Sequence, residues 1–509
     1  MSLAESAKIL LEIRDLEYGY QTHGQPIPLF DSLNLVLRAG EHAVIVGGSG
    51  VGKSTLVRIV AQGQSPSVWH AEGFKPVVVI QEGGLIDDLS VIQNLRLIDR
   101  HNSVVANQGI EEVLASLNVG SDKLNTLASE LSGGQKRRVA LARALLLKPK
   151  VIIFDEPDAG LDVANLVDLS NVIISERSKN SACISVSHNP IYIASVATHV
   201  YQLSKGKLET LAEWDTVATT DLERQARQQF IQDRLQIKHE PSLDAVPQTS
   251  SIKSNSQHRQ ASLLPQVIQS AILVFKSILT APRSIIESFK VFNRTLMLGF
   301  VSGVVFFSLV GMMLGATTLA VVKLLSDNAI KGVVAWFIGP SNLLELMRGR
   351  FALYLGPAVG GMLFVARSGS LICSWLGELV RSRRLEALSY LGVPVQSLYY
   401  APVFFSTLVA AVGVILLFTL AVWFGGVVAA QHLFNVDQVI RVLSVSTYDI
   451  ALSQLLLKTG IYAFGVATII TAFASITKPN SRTVSQHTTA AIVYATLFIA
   501  LVELVLILS

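Results

Sequence analysis

Residues 47–54 read Gly47-Gly-Ser-Gly-Val-Gly-Lys-Ser54, directly after the apolar run Ala43–Val46 and directly before the helix-forming run Thr55–Ala61. A glycine-rich turn between a buried strand and a helix lets backbone N–H groups surround phosphate oxygens at the helix N-terminus. The spacing predicts a phosphate-binding P-loop, in which Lys53 reaches the β- and γ-phosphates and Ser54 gives an oxygen to Mg²⁺. The alternative is a chance glycine-rich turn, which the flanking strand and helix argue against.

An acidic pair closes a second apolar run, Val151–Phe154. At the tip of a buried strand, Asp155 is suited to hold Mg²⁺ and Glu156 is suited to polarise the water that attacks the γ-phosphate. Taken alone, two acids at a strand end would more often form a solvated turn. Because a P-loop precedes them in the chain, they instead predict an ATPase that uses Mg²⁺.

A third motif, Leu131-Ser-Gly-Gly-Gln135, distinguishes one family among P-loop ATPases. With it, the sequence over about residues 9–235 resembles the ATP-binding-cassette (ABC) family. The resemblance implies that Ser132 and the two glycines contact the γ-phosphate of ATP bound to the P-loop of a second subunit. Since the sequence shows one cassette, a homodimer with two shared sites is the simplest assembly.

The resemblance extends to single residues, which follow the family's order. Gln81 matches the glutamine that senses Mg²⁺ and the membrane domain, Ala159-Gly-Leu-Asp162 matches the D-loop, and His188 matches the switch histidine. Tyr20 is placed like the aromatic residue that stacks on adenine, with Tyr18 as a second choice. A lone tyrosine here can also be a half-buried strand residue.

The predicted nucleotide site therefore has catalytic, ATP-binding and metal-binding groups, with ATP and Mg²⁺ as cofactors. The predicted catalytic residues are Glu156, His188 and Gln81, and the predicted Mg²⁺ ligands are Ser54, Gln81 and Asp155. The predicted ATP-binding residues are Tyr20, Gly47, Gly48, Ser49, Gly50, Gly52, Lys53, Ser54, Thr55, Ser132, Gly133, Gly134 and Gln135.

Composition divides the chain into three parts. Residues 1–238 alternate short apolar runs with amphipathic stretches, the pattern of buried parallel strands with crossover helices. Residues 239–262 are rich in Ser, Gln, Pro and His and predict a flexible linker. Residues 263–509 begin with a charge-interrupted apolar segment to 290, which predicts an interfacial helix.

Five apolar runs follow that segment, and each is long enough to cross the ~30 Å hydrocarbon core of a bilayer. They cover residues 296–322, 353–380, 403–430, 459–477 and 489–508. The predicted fold class is an α/β P-loop NTPase, the ABC cassette, followed by an all-α membrane domain with an interfacial helix and five transmembrane helices.

Charge and the start of the chain predict the topology. No apolar run opens the sequence, so we expect no signal peptide and a cytoplasmic cassette. Arg381, Arg383 and Arg384 then lie inside, as do Lys478 and Arg482, as the positive-inside rule requires. The agreement is incomplete, because an outer segment carries Lys331, Arg348 and Arg350. The net charge of +4 is spread over both halves and gives no indication of a nucleic-acid partner. We expect a multi-pass protein of the bacterial inner membrane.

A spaced series in the membrane part includes Leu355-Gly-Pro, Ala366-Arg-Ser-Gly369 and Leu391-Gly-Val-Pro394. This series resembles the MlaE-type permeases, which move phospholipids or other lipids alongside MCE-domain proteins. The resemblance implies ATP-driven lipid transport, with membrane lipid as cargo and an MCE-domain partner on the outer side. Fusion to the cassette and the basic start Arg383-Arg384-Leu-Glu depart from the family pattern and leave cargo and partners open.

Two other functions fit the sequence. One is an ABC exporter of another amphiphile, which would show ATPase activity stimulated by that compound. The other is ATP-driven mechanotransmission without cargo. Proteins of that class usually have fewer spans and a large extracytoplasmic domain, of which this sequence shows no sign.

Charged residues within the apolar runs are candidates for a cargo path, because isolated charges in a membrane normally face protein or water. Glu378 follows Arg367 by eleven residues, which in a continuous α-helix returns to nearly the same face about 16 Å away. The two would then line one polar path. Alternatively, Arg367 fixes helix packing through carbonyl groups and Glu378 is interfacial. For Glu503 we expect snorkelling to the outer surface.

The segment Ser382–Gly392 resembles the coupling helix that docks beside the Q-loop glutamine of the cassette. In this reading Arg384 and Glu386 take part in coupling ATP hydrolysis to the membrane helices. Its basic residues would also set the topology, and the two roles are compatible.

Overall fold

The computed structural model describes most of the chain and divides it into two compact units. The described residues are 8–22, 25–48, 50–63, 65–70, 75–80, 84–98, 107–159, 161, 163–176, 181–237, 256–280, 285–327, 351–433, 448–478 and 480–508. The first unit is Met1–Ile252 with Ser382–Val393, and the second is Lys253–Arg381 with Pro394–Ser509. Each unit is described separately.

The first unit is built on two sheets. Its strands are β1 (Ile9–Thr22), β2 (Gln25–Arg38), β3 (His42–Val46), β4 (Val68–His70), β5 (Val77–Val79), β6 (Val151–Asp155), β7 (Ala182–Val186), β8 (His199–Ser204) and β9 (Lys207–Glu213). A six-stranded sheet has the order β5-β6-β7-β3-β8-β9, and a three-stranded antiparallel sheet has the order β2-β1-β4. All neighbours in the large sheet are parallel except β8 and β9.

Central strands of the large sheet are buried on both faces. Every residue of β3, β6 and β7 is buried, which explains their continuous apolar runs. Helices cover the sheet: α1 (Lys53–Gln62), α2 (Val91–Arg96), α3 (Asn107–Ser116), α4 (Gly133–Leu145), α5 (Val163–Glu176), α6 (Pro190–Val196) and α7 (Asp221–Ile237). The carboxyl ends of parallel strands meet at one edge, where ligands bind in open α/β sheets.

The short helix Arg384–Tyr390 also belongs to the first unit, although the helices on both sides of it in the chain belong to the second. We call it the 384–390 helix. Its Ala387 is buried in the same apolar cluster as strand residues of the large sheet. The sequence-based expectation that this segment docks on the cassette is therefore matched by its packing.

The second unit is all-helical in the residues described. Its helices are α8 (Ser256–Ile278), α9 (Ile285–Gly299), α10 (Val304–Asp327), α11 (Phe351–Phe364), α12 (Ser370–Arg381), α13 (Ala401–Leu433), α14 (Tyr448–Ser475) and α15 (Ser481–Leu508). π-helical turns at Val365–Gly369 and Gln396–Tyr400 precede α12 and α13. Within the predicted linker, the backbone of residues 256–262 already forms the start of α8, whereas residues 239–255 lie outside the described ranges.

Five stretches of the described residues are long and apolar enough to cross a membrane. They are Ile285–Thr318, Gly356–Arg381, Gln396–Ala429, Leu452–Ser475 and Ser481–Leu506. The predicted fold class, a cassette followed by five transmembrane helices, is confirmed. One boundary differs: residues 285–290, which we placed in the interfacial helix, belong to the first candidate span, because α9 and α10 continue across a single short 3₁₀ turn.

Glycines allow two helices of the second unit to approach backbone to backbone. A Cβ atom on Gly315 of α10 would lie 1.9 Å from the carbonyl oxygen of Val422, and one on Gly425 of α13 would lie 2.1 Å from that of Met312. Small residues at such crossings are typical of membrane helix packing, where close backbone contact supplies the attraction. This crossing was not singled out in the sequence.

The expectation for Glu503 is wrong. Its carboxylate lies 2.7 Å from the ammonium group of Lys458 and also accepts a hydrogen bond from the phenol of Tyr462, both on the neighbouring helix α14. Lys458 is 9% exposed and Glu503 is 17% exposed at the side chain. Because partners inside the unit satisfy the carboxylate, Glu503 has no need to reach water.

Candidate ATPase site

The P-loop is closed by its own lysine. Lys53, the first residue of α1, is buried and donates hydrogen bonds to the carbonyl oxygens of Gly47 at 2.6 Å and Gly48 at 2.9 Å. Gly52 caps the helix with φ of +105°, and a Cβ there would lie 3.0–3.1 Å from Phe30 and Leu29. The tight loop therefore needs glycine at position 52 for both its conformation and its packing.

Two acids lie at the carboxyl end of β6, close enough to Lys53 to affect its charge state. Burial lowers the pKa of Lys53, and the charges of Glu156 and Asp155 oppose that shift. Burial also raises the pKa of Asp155, which the charge of Arg383 opposes most strongly. The lysine and both acids thus lie within electrostatic range of one another, and the roles assigned to them by the motifs stay predictions.

The backbone at Glu156 is unusual. Its φ is +51°, a left-handed conformation that non-glycine residues rarely adopt, and its N–H donates to the carbonyl of Val186 at 3.0 Å. Strained backbone of this kind occurs preferentially at functional sites, where the surrounding structure holds it. The bond to β7 fixes the turn that presents the Glu156 side chain after the strand.

The signature motif begins α4. Ser132 is the N-cap: its hydroxyl accepts from the N–H of Gln135 at 3.3 Å, and the Gln135 side chain accepts from the N–H of Ser132 at 3.0 Å. This reciprocal capping box leaves Ser132 and Gly133 exposed. A Cβ on Gly133 or Gly134 would meet no atom of the described residues within 4 Å. Packing against the described part of the chain therefore does not require glycine at either position.

Several predicted residues fall outside what the structure describes. Ser49, Gln81, Gly160 and Asp162 are not described, nor is the side chain of Tyr20. His188 is exposed and lies two residues beyond the end of β7. The roles assigned to these residues by the family resemblance stay predictions.

A salt-bridge network links the 384–390 helix to α1. Glu386 accepts a hydrogen bond from Arg58 at 3.2 Å and another from the phenol of Tyr390 at 2.6 Å. Burial and the bond to Glu386 raise the pKa of Tyr390, so its hydroxyl stays a donor throughout the physiological range. The helix that carries Lys53 at its first residue thus also holds the predicted coupling segment.

Asp87 connects the same segment to the signature helix. Its carboxylate lies 2.5 Å from the guanidinium of Arg384 and 3.2 Å from the ammonium of Lys136, the residue that follows Gln135 in α4. Two cations on different elements share one acid. If either element moved, its cation would leave the carboxylate, and the pairing of Asp87 with the other cation would change.

Sequence reasoning named Arg384 and Glu386 but missed their partners Arg58, Asp87 and Tyr390, and also Gly84. A single sequence does not show which distant residues pair. The dipeptide Gly83-Gly84 after Gln81 was the one available signal, since paired glycines often mark a close backbone approach.

In the second unit, Arg367 and Glu378 have separate partners. Arg367 donates to the carbonyl of Ser302 at 2.5 Å and lies over the rings of Phe306 and Phe307, whereas Glu378 pairs with Arg381. The π-helical turn Val365–Gly369 contains Arg367, so the rotation expected for a continuous α-helix does not apply between the two residues. The contacts favour the packing role for Arg367, and the cargo path stays a prediction.

Comparison with known proteins found a family match for each of the two parts of the chain. Residues 30–159 match the family described as ABC transporter, and residues 292–508 match the family described as Permease MlaE. The lipoprotein-releasing system ATP-binding protein LolD of Rickettsia bellii (strain RML369-C) is 32% identical over 39% of this chain and 97% of its own length. The intermembrane phospholipid transport system ATP-binding protein MlaF of Escherichia coli (strain K12) is 30% identical over 40% and 83%, respectively.

Among solved structures, the dimeric ATP-binding cassette MJ0796 bound to ADP and Pi superimposes with a TM-score of 0.35 at 23% identity. The superimposed residues cover 39% of this chain and 97% of the MJ0796 chain. The family-model match over residues 30–159 and the similarity to LolD show that the chain belongs to the ABC transporter family. More particularly, it is a multi-pass membrane protein that carries an ABC ATPase and an MlaE permease in one polypeptide, and it couples ATP hydrolysis to transport.

ABC cassettes bind ATP and generally require Mg²⁺, and the residues present fit both. The loop before α1 is a cradle in which a Cβ on Gly47 would lie 2.6 Å from the carbonyl oxygen of Leu203. Lys53 and the exposed Ser54 stand at the start of α1, and Asp155 supplies a carboxylate at the adjacent strand end. Hard oxygen ligands of this kind suit Mg²⁺.

Proposed function

We propose that this chain drives the movement of phospholipid across or out of the bacterial inner membrane, as a homodimer that works with an MCE-type lipid-binding partner. One observation carries the proposal: an ABC ATPase and an MlaE permease are fused, and the cassette is similar to the MlaF protein of a phospholipid transport system. Fusion fixes the pairing of ATPase and permease at one to one.

At each nucleotide, Lys53 and the backbone N–H groups of the P-loop would bind the phosphates. Asp155 and Ser54 would hold Mg²⁺, which neutralises the charge of the phosphates when bound. Glu156 would orient the attacking water. The left-handed backbone at Glu156 and its bond to Val186 support this role, because they fix the backbone of Glu156 directly after the strand end.

A homodimer would supply the second signature motif that each nucleotide site needs. ABC cassettes dimerise, and the signature motif of one copy would close the site of the other. The exposed N-terminus of α4, with open space beside Gly133 and Gly134, supports such a contact. Anions are stabilised at a helix N-terminus, which suits the γ-phosphate of ATP held by a partner.

Mass spectrometry of co-purified lipids tests the cargo. Lipids bound to the wild type and to Glu156→Gln are compared with the bulk membrane extract, with Glu17→Gln, an exposed acid on β1, as a matched control. Enrichment of defined phospholipids in the wild type and the control, altered in Glu156→Gln, is the expected result. Bulk composition in all samples would favour the exporter or mechanotransmission alternative.

A further inference from the structure

Arg383 places a positive charge beside the proposed metal ligand Asp155. One guanidinium nitrogen (Nη1) lies 3.8 Å from the outer carboxylate oxygen (Oδ2) of Asp155. The Asp155 side chain is 12% exposed and that of Arg383 is 48% exposed. Both residues belong to the first unit, so the pair lies within one compact body.

Arg383 lies at the start of the 384–390 helix, which two contacts fix in place. Arg383 is its N-cap and has a left-handed backbone with φ of +52°. The helix is fixed behind it by Ala387 against Gly84 and by the Glu386–Arg58 pair. The next residue, Arg384, pairs with Asp87 instead. Of these two adjacent arginines, Arg383 therefore contacts the strand-end acid.

Several charged side chains surround the Asp155 carboxylate. The carboxylate faces Arg383 and Lys53 as cations and Glu156 and Glu386 as anions. Arg383 forms a salt bridge with this carboxylate, whereas Lys53 donates hydrogen bonds to the carbonyl oxygens of the P-loop. A divalent metal bound at Asp155 would meet this guanidinium as a like charge at short range.

We propose that Arg383 is a positioning residue that competes with Mg²⁺ for Asp155, so that the 384–390 helix sets the metal affinity of the ATPase site. This inference rests on the proposed role of Asp155 as a metal ligand. Since linkage is reciprocal, metal binding weakens the Arg383–Asp155 pair by the same factor. The metal site thereby communicates with the segment that joins α12 to α13.

The expected size of the effect is modest. Ion pairs with one well-exposed partner change affinities by about two- to five-fold, and salt screens them. Replacing Arg383 by Asn removes the charge while keeping a residue that tolerates a left-handed backbone. Arg383→Asn is therefore expected to bind metal about two- to five-fold more tightly than the wild type.

Electron paramagnetic resonance of Mn²⁺ measures this affinity without relying on turnover. Free Mn²⁺ is counted during titration of the full chain in nanodiscs with saturating ADP, and a titration of ADP alone is subtracted. Arg383→Lys keeps the charge and is expected to stay nearer to the wild type. Arg384→Gln removes an equal charge one residue away, at a residue that pairs with Asp87, and is expected to leave Mn²⁺ affinity unchanged.

The variant Asp155→Asn distinguishes failure of the Arg383 inference from failure of the proposed metal assignment. If Asp155→Asn weakens Mn²⁺ binding but Arg383→Asn leaves it unchanged or weakens it, the inference is overturned and the metal assignment stands. If Arg384→Gln tightens binding as much as Arg383→Asn, the specific pair is likewise overturned. If Asp155→Asn has no effect, the proposed metal ligand is wrong and the inference fails with it.

Discussion

Gly84 and Ala387 meet at a distance that admits no further atom: a Cβ on Gly84 would lie 2.3 Å from the Cβ of Ala387. Gly84 also has φ of +61°, which disfavours any other residue. Its carbonyl accepts a hydrogen bond from the buried Arg143 of α4 at 3.0 Å. This glycine thus sits between the 384–390 helix and the signature helix.

Gly84→Ala is expected to loosen the 384–390 helix. The left-handed backbone costs about 1–2 kcal/mol with a side chain, and the contact with Ala387 adds a steric penalty. We expect faster hydrogen exchange in residues 384–390 and weaker coupling of ATPase activity to lipid. Gly63→Ala is a matched control, since Gly63 has φ of +58° but the nearest described atom to its Cβ would belong to His70, at 3.4 Å, an ordinary contact. Equal exchange in both variants would contradict the account.

Glu156→Gln is expected to bind ATP and keep the cassette dimer closed, because binding uses the P-loop while the attacking water loses its polarising carboxylate. Lys53→Ala is expected to lose ATP binding or turnover. Steady-state ATPase activity and nucleotide binding, measured on the full chain, check both variants. Normal turnover in either one would show that the catalytic assignment is wrong.

Lys458, which is buried, and Glu503, which is partly buried, form an ion pair, so removing either partner alone is expected to destabilise the protein. Lys458→Met or Glu503→Leu alone leaves one charged group without its partner, which costs about 3–5 kcal/mol in a buried setting. The double variant Lys458→Met with Glu503→Leu is expected to recover much of that loss. Thermal unfolding in detergent measures all three. Equal and additive losses would show that the pair is not coupled.

Lys478 makes stability depend on pH. It is 3% exposed and donates to the carbonyl oxygens of Phe473, Ala474 and Ile476 at the C-terminal end of α14. Burial lowers the pKa of Lys478 to about 8. Between pH 8 and the higher pKa of the unfolded chain, the unfolded state binds more protons.

The free energy of unfolding should therefore rise with pH from about 8 to 10, by at most about 3 kcal/mol. Below pH 8 this contribution is constant, because both states are protonated. The difference in melting temperature between wild type and Lys478→Met, followed across this range, isolates the lysine. A difference that does not change with pH would contradict the assigned shift.

Much of the fold could be predicted from local sequence patterns. Continuous apolar runs predicted strands β3 and β6, and the P-loop spacing predicted the start of α1, because these features depend on neighbouring residues. The five candidate spans followed from length and hydropathy. The π-helical turn at Arg367 could not be predicted, because a single extra residue in a turn leaves the apolar pattern almost unchanged.

The sequence alone could not predict which charged residues pair when they are distant in the chain. Asp87 is one of several acids in a polar stretch, and only folding places it between Arg384 and Lys136. Glu503 was expected to snorkel because a span viewed alone offers it no partner. Lys458 lies 45 residues earlier in the chain, on a different helix. In both cases the partner is set by tertiary structure.

Transfer of a labelled phospholipid by the full chain in proteoliposomes tests the central claim most directly. The protein is reconstituted with a phospholipid that carries a fluorescent headgroup, and its movement between leaflets or to an acceptor is followed with and without ATP and Mg²⁺. The account predicts movement that requires ATP, is retained in Glu17→Gln and is lost in Glu156→Gln. ATP hydrolysis by the wild type without any change in phospholipid distribution would contradict it.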